Sequence, residues 1–141
     1  DERVAGYQAA LLAAQLPFDP QLLVNGGSSS EPARQATQQL LALDTPPTAI
    51  MAGNNLMTLG AMHALRDARI EVPGQMALVG FDDFEWADFF VPRLTLIAQP
   101  VQELGAQAVN LLLERMASPK RKKHSVRLAP TLKIRNSCGC P

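Results

Sequence analysis

Aromatic side chains are scarce in this sequence: 141 residues hold one Trp, one Tyr and five Phe. Cysteine is scarcer still, and both copies sit in the tail Cys138-Gly139-Cys140. No internal disulfide framework can hold the fold, and this usage is that of a cytoplasmic protein. A metal site built on that pair alone would lack ligands, so the tail reads as a disordered terminus and no metal is expected. No run approaches the roughly 20 apolar residues needed to cross a bilayer, so no membrane partner is expected either. Charge of one sign is absent as well, since 13 basic residues balance 13 acidic ones. The chain therefore lacks the long-range attraction for phosphate that a free-standing nucleic-acid binder shows, and direct DNA binding by these residues is not expected. Catalytic signatures are also missing. There is no Gly-x-Ser-x-Gly, His-Glu-x-x-His, Gly-x-x-x-x-Gly-Lys or Gly-x-Gly-x-x-Gly, so neither an enzyme nor a bound cofactor is expected.

What is present suits one domain with a real core: 47% hydrophobic and 18% charged residues at a length that buries roughly 68–70% of the unfolded surface. The start Asp1-Glu2-Arg3 is neither a signal peptide nor an initiator methionine, and the chain reads as a piece of a longer protein. Val4, Tyr7, Leu11 and Ala14 set a helix over 2–15 that Pro17 and Pro20 end. Leu22-Leu23-Val24 reads as a strand, followed by a Gly-Gly-Ser-Ser-Ser turn and a helix carrying Ala33, Ala36, Thr37, Leu40 and Leu41. Thr48–Ala52 reads as a second buried strand, Leu56–Ala68 as a helix and Ala77–Phe81 as a third strand. Short apolar strands separated by helices are the pattern of βαβ units, so the expected class is α/β, a parallel sheet with helices on both faces. Beyond Phe81 come an acidic and aromatic stretch, a strand over 94–98, a helix over 101–117 and a basic loop over 120–124. Two short β runs, 125–128 and 131–135, complete the chain.

An open parallel sheet binds ligands at the carboxyl ends of its strands, where helix N-termini converge. That rule selects residues 25–28, then Gly53, Asn54 and Asn55, then Asp82 and Asp83. Amides and carboxylates suit hydroxyl-rich ligands, because they pair with adjacent hydroxyls. Helix capping explains Asn54 and Asn55 equally well, and a turn explains the two aspartates. His63 reads as a structural residue of its helix, and His124, after four basic residues, as part of a solvated loop. The helix from Leu56 is apolar nearly all round: Met57, Ala61, Ala64, Leu65 and Ala68 form one stripe, Leu59 and Met62 another. Such a helix must be covered on two sides. Residues 84–90 hold four of the seven aromatics, which fits either an interface or a domain core.

The run Pro47-Thr48-Ala49-Ile50-Met51-Ala52-Gly53-Asn54-Asn55-Leu56-Met57 through Leu59-Gly60-Ala61 continues with Val72-Pro73, Val79-Gly80-Phe81-Asp82-Asp83 and Pro92-Arg93-Leu94-Thr95. This succession strongly resembles the LacI/GalR family of bacterial transcription regulators. The resemblance covers the whole chain and is most specific over 47–100. It implies the second half of a two-lobed, periplasmic-binding-protein-like effector domain, without the DNA-binding helix-turn-helix and most of the first lobe. On that basis 1–98 is the C-terminal lobe, 99–123 a crossover with a helix that packs on the missing first lobe, and 124–141 the returning strands and tail.

The resemblance also implies roles. Arg3, Asn54, Asp82 and Gln99 match effector-contact positions, while Leu59, Met62 and Phe90 match the dimer face, with Trp86 beside them. Three departures stand out. Ser28 or its neighbours replace the Trp or Phe that stacks on ring effectors, which disfavours a purine. Asn55 replaces a common Asp. Arg69 stands where a helix-ending Gly is usual, so a reshaped turn is expected there. The reading implied is the effector-sensing, dimerising part of a cytoplasmic repressor that binds a small sugar or sugar acid and meets operator DNA only through the missing module. A free-standing sugar-binding protein of transport or chemotaxis is the alternative, and a sheet-top enzyme comes third. The stripe of Val101, Leu104, Ala108, Leu111 and Leu112 should stand apart from the helices of 31–68.

Overall fold

The structure, a computed structural model, describes residues 2–140. Eight regular elements follow in chain order: α1 (Glu2–Ala13), α2 (Ser30–Leu41), β1 (Ala49–Met51), α3 (Asn55–Asp67), β2 (Ala77–Phe81), β3 (Thr95–Ala98), α4 (Val101–Ala117) and β4 (Thr131–Lys133). The strands form one sheet in sequence order, with β1, β2 and β3 parallel. β4 returns antiparallel to β3, pairing Leu96 with Lys133 and Ala98 with Thr131. The sheet is therefore mixed, which refines the all-parallel expectation. Its class is α/β, as expected.

The core lies between α3 and the sheet. Ala61 and Leu65 of α3 meet Ile50, Leu78, Leu94 and Leu96 from the sheet side, with Met76 and Ala87 closing the cluster. α2 covers α3 in turn through Ala33, Ala36, Thr37 and Leu40. The crossing is close because Gly60 has no side chain: a Cβ there would stand 2.2 Å from the Ser30 carbonyl oxygen. α1 and α4 bury no residue. Helix cover on both faces was expected, whereas the main helix-to-sheet packing is α3 on β2.

Two strands expected from composition are absent. Pro20–Leu22 forms a 3-10 turn capped by the Asp19 carboxylate, and Leu23 continues in extended backbone without joining the sheet. An apolar groove of about 160 Å³ separates this segment from β1, lined among others by Leu22, Val24, Leu40 and Ile50. Leu23 has extended backbone, yet the segment makes no ladder with β1. Residues 125–128 also form no regular element. β2 and α4 match the expected bounds, and β4 rejoins the lobe as expected.

Arg69 takes the left-handed conformation itself, φ 56°, so the turn after α3 keeps the glycine-type geometry rather than a reshaped one. The tail is another correction. Ser137 is fully buried, so residues 136–140 are built into the lobe rather than disordered.

Candidate functional site

Four sequence-selected residues lie at the carboxyl end of the parallel strands. Asn54 caps α3: its side-chain oxygen accepts the Met57 N–H at 2.8 Å, and its amide donates to the Ser28 carbonyl at 3.4 Å. That second bond ties the turn at 25–28 to the mouth of β1. Asp82 follows β2 at φ 72°, a left-handed conformation that a non-glycine residue rarely adopts. Its backbone N–H is held by the Ile97 carbonyl at 2.9 Å, and its carboxylate accepts from the Gln99 side-chain amide. Gln99 leaves β3 immediately before α4. Arg3, on α1, lays its guanidinium over the Phe81 ring at 4.2 Å from the centroid.

No single concavity holds all four, yet three adjoining ones link them. One of about 520 Å³ is lined by Arg3, Asn25, Ser28, Gly53 and Asn54. A second, about 510 Å³, shares Arg3 and adds Phe81, Gln99 and Leu104. A third, about 610 Å³, shares Gln99 and adds Asn55, Asp82, Lys133 and Arg135. Its amides, carboxylates and guanidinium offer both donors and acceptors, the chemistry a hydroxyl-rich ligand needs.

Asp83, the other strand-end aspartate, is a structural anchor. Arg135 donates to it at 2.9 and 3.3 Å, Lys133 reaches it at 2.7 Å, and Arg135 also pairs with Asp88 at 2.8 Å and donates to the Leu94 carbonyl at 2.7 Å. Burial works to raise the Asp83 pKa, but the Arg135 and Lys133 hydrogen bonds and charges together outweigh it and hold the carboxyl below its ordinary range. The hydrogen bond that Arg135 donates to Asp83, against burial and with help from Asp88, lifts Arg135 above its own. Arg135, Lys133 and Phe81 were not selected from sequence. A paired Asp82-Asp83 together with a late β-type run, 131–135, that carries Lys133 and Arg135 is the signal that could have found the first two.

The four interface candidates also come together. Leu59, Met62 and Phe90 line a groove of about 590 Å³ with His63, Val72 and Pro92. Trp86 lies 5.9 Å from Phe90 in a stacked pair and 4.7 Å from Phe84. His63 is exposed along this groove rather than enclosed in the helix packing. Near it Trp86, Phe89 and Val91 are 54%, 84% and 97% exposed, large apolar side chains left in solvent. Among the described residues no cluster of His, Cys, Asp and Glu could hold a metal, and no helix is long and apolar enough to cross a membrane.

The sequence matches the periplasmic binding protein-like domain family over residues 1–138. It is 33% identical over 136 residues to an HTH-type transcriptional repressor, PurR, of Vibrio parahaemolyticus, covering 96% of this chain and 41% of that protein. The ribose operon repressor of Escherichia coli is 36% identical over 135 residues, with 96% and 41% covered. A LacI family transcriptional regulator from Enterococcus faecium, solved with bound ribose, superposes with a TM-score of 0.85 at 31% identity, covering 96% of this chain and 50% of that one. The chain thus spans under half the length of the repressors it matches.

Proposed function

This chain belongs to the LacI/GalR family, within the periplasmic binding protein-like fold, and from that premise we propose that it is the effector-sensing and dimerising part of a cytoplasmic transcriptional repressor. Residues 1–98 form one lobe, 99–123 cross to the other and lay α4 on it, and 124–141 return. The effector is a small sugar or sugar acid held between the lobes by Arg3, Asn54, Asp82 and Gln99. The bond from Gln99 to Asp82 carries this reading. It links the strand end to the crossover, so a hydroxyl that inserts there touches both the lobe and the hinge. A ligand with contacts on both lobes favours one lobe arrangement, and linkage passes that preference to the DNA-binding heads. The ribose-bound relative supports the ligand class.

Leu59, Met62, Trp86 and Phe90 form the dimer face. The exposed apolar surface around them supports it, since burying such area is worth about 25 cal/mol per Å² before the costs of association. The binding test uses the full-length protein, a panel of pentoses, hexoses and their aldonic acids, and calorimetry. One member should bind, and Arg3→Ala should weaken it about tenfold or more with the unfolding midpoint unchanged. Equal affinity in Arg3→Ala and Asp82→Asn would sink the site assignment. In the same material Met62→Glu should convert the sedimenting dimer to monomer, and an unchanged dimer would remove that face from the reading.

A further inference from the structure

The tail Ser137-Cys138-Gly139-Cys140 is fixed from both sides. Ser137 stitches β2 to β3: its hydroxyl donates to the Leu78 carbonyl at 2.7 Å and accepts the Thr95 N–H at 2.8 Å, while its carbonyl accepts the Leu78 N–H at 2.7 Å. A turn follows in which the Gly139 N–H reaches the Asn136 carbonyl at 3.2 Å. Gly139 sits at φ 70°, and a Cβ there would also press on Pro73 at 3.3 Å. The bend folds Cys140 back, so that its N–H donates to the Cys138 sulfur at 3.2 Å.

An extended tripeptide would hold the two Cα atoms roughly 7 Å apart, at or beyond the limit a disulfide spans, and a bend at the middle residue shortens that distance. Cys138 is half-buried and Cys140 exposed. The neighbouring Cys140 thiol, and after it the Thr95 hydroxyl, holds the Cys138 thiol below the ordinary range. The same contact pushes Cys140 up. The pair is therefore asymmetric: the half-buried Cys138 gives up its proton more readily than the exposed Cys140. A low-pKa thiol next to a resolving one is the arrangement of peroxide-reactive sites.

We propose that Cys138 and Cys140 form a peroxide-reactive dithiol in which Cys138 attacks and Cys140 resolves. The Cys138 thiolate attacks one peroxide oxygen. The O–O bond breaks, sulfur gives up two electrons to become a sulfenic acid, and the departing hydroxide takes a proton and leaves as water. Cys140 then loses its proton and attacks the sulfenic sulfur. The S–S bond forms, the S–O bond breaks, and a second water leaves. The net reaction turns one dithiol and one hydrogen peroxide into one disulfide and two waters, and a dithiol reductant then returns the disulfide to two thiols while becoming a disulfide itself. While protonated, the Cys138 thiol donates to the Arg135 carbonyl at 3.5 Å, so the reaction removes a donor just beyond β4.

Reduced, purified protein is titrated with hydrogen peroxide, and free thiols and intact mass are followed. Both thiols should disappear together with a mass lower by two hydrogens, at a rate roughly tenfold or more above that of glutathione under the same conditions. In Cys140→Ser the reaction should stop at a sulfenic acid trapped by dimedone on Cys138, and Cys138→Ser should react no faster than glutathione. Thiol loss at the glutathione rate in the unmodified protein would overturn the proposal without any variant. So would dimedone labelling of Cys140 in Cys138→Ser at the unmodified protein's rate.

Discussion

α3 and α4 are both helices with an apolar stripe, and they meet opposite fates. α3 has 13 residues and buries Thr58, Gly60, Ala61, Ala64 and Leu65 between α2 and the sheet. α4 has 17 residues and buries none, leaving Leu112 at 58% and Met116 at 68% exposure. The difference lies outside the helices. A stripe records the need for a partner, and only the surroundings decide whether that partner is present. α1 behaves as α4 does, with Leu12 80% exposed. In the two-lobed reading the stripe of α4 lies on the first lobe.

The largest effect sharpens this contrast. Leu65 is 1% exposed, and Leu65→Ala should cost about 3 kcal/mol or more, from lost burial plus the cavity left behind. Leu112→Ala should change the stability of this chain by less than about 0.5 kcal/mol. In the full-length protein the same Leu112→Ala should cost about 2 kcal/mol, because the stripe is then covered. Urea unfolding of both substitutions in both lengths measures all four quantities. A Leu112→Ala cost that stays negligible in the full-length protein would mean that α4 is solvated there too.

The second effect separates the anchored aspartate from the ligand-facing one. Asp83 and Arg135 side chains are only 10% and 11% exposed, and Asp83→Asn should cost about 2 kcal/mol by stranding part of the guanidinium. Because the native Asp83 pKa lies below the ordinary 3.8, the folded state binds this proton less readily than the unfolded one. The stabilisation is therefore complete above the unfolded pKa and is lost as pH falls through the lower native value. Thermal midpoints followed from about pH 5 to pH 2 should decline less steeply in Asp83→Asn than in the unmodified protein. Parallel declines would show that the pair adds no pH-linked stability.

The same contrast explains what was legible in the sequence. β2 and α4 are readable nearly to the residue because each is an apolar pattern bounded by chain breakers or polar turns, a local signal. Leu22–Val24 carries the same local signal and forms no strand, because pairing depends on a neighbour at β1 that periodicity cannot reveal. At the site, Asn54 and Asp82 were reachable through the rule for strand ends, because each follows a strand, and Gln99 through the family resemblance alone. Arg135 escaped both routes. Its partners Asp83 and Asp88 lie 52 and 47 residues away in sequence, and only the antiparallel return of β4 brings them together. Ser137 and the bent cysteine tail escaped for the same reason, because their bonds run to β2 and β3.

The smallest effect concerns how α3 ends. The Arg69 N–H donates to the Arg66 carbonyl at 3.0 Å, and the Ile70 N–H to the Leu65 carbonyl at 2.9 Å. This pair of bonds is the Schellman termination, which places a left-handed residue just past the cap, usually glycine. Here that residue is Arg69 at φ 56°, with its side chain in solvent. A non-glycine residue in this conformation costs roughly 1–2 kcal/mol, while glycine gives back about 0.5–1 through the freedom it has when unfolded. Arg69→Gly should therefore stabilise the chain by about 0.5 kcal/mol, and Arg69→Asn by less, since asparagine tolerates the region only in part. Arg69→Val should destabilise it, because a β-branched side chain fits left-handed backbone worst. Urea midpoints at constant slope would rank the three. A destabilising Arg69→Gly would mean that the arginine side chain contributes more to the end of α3 than its backbone strain costs.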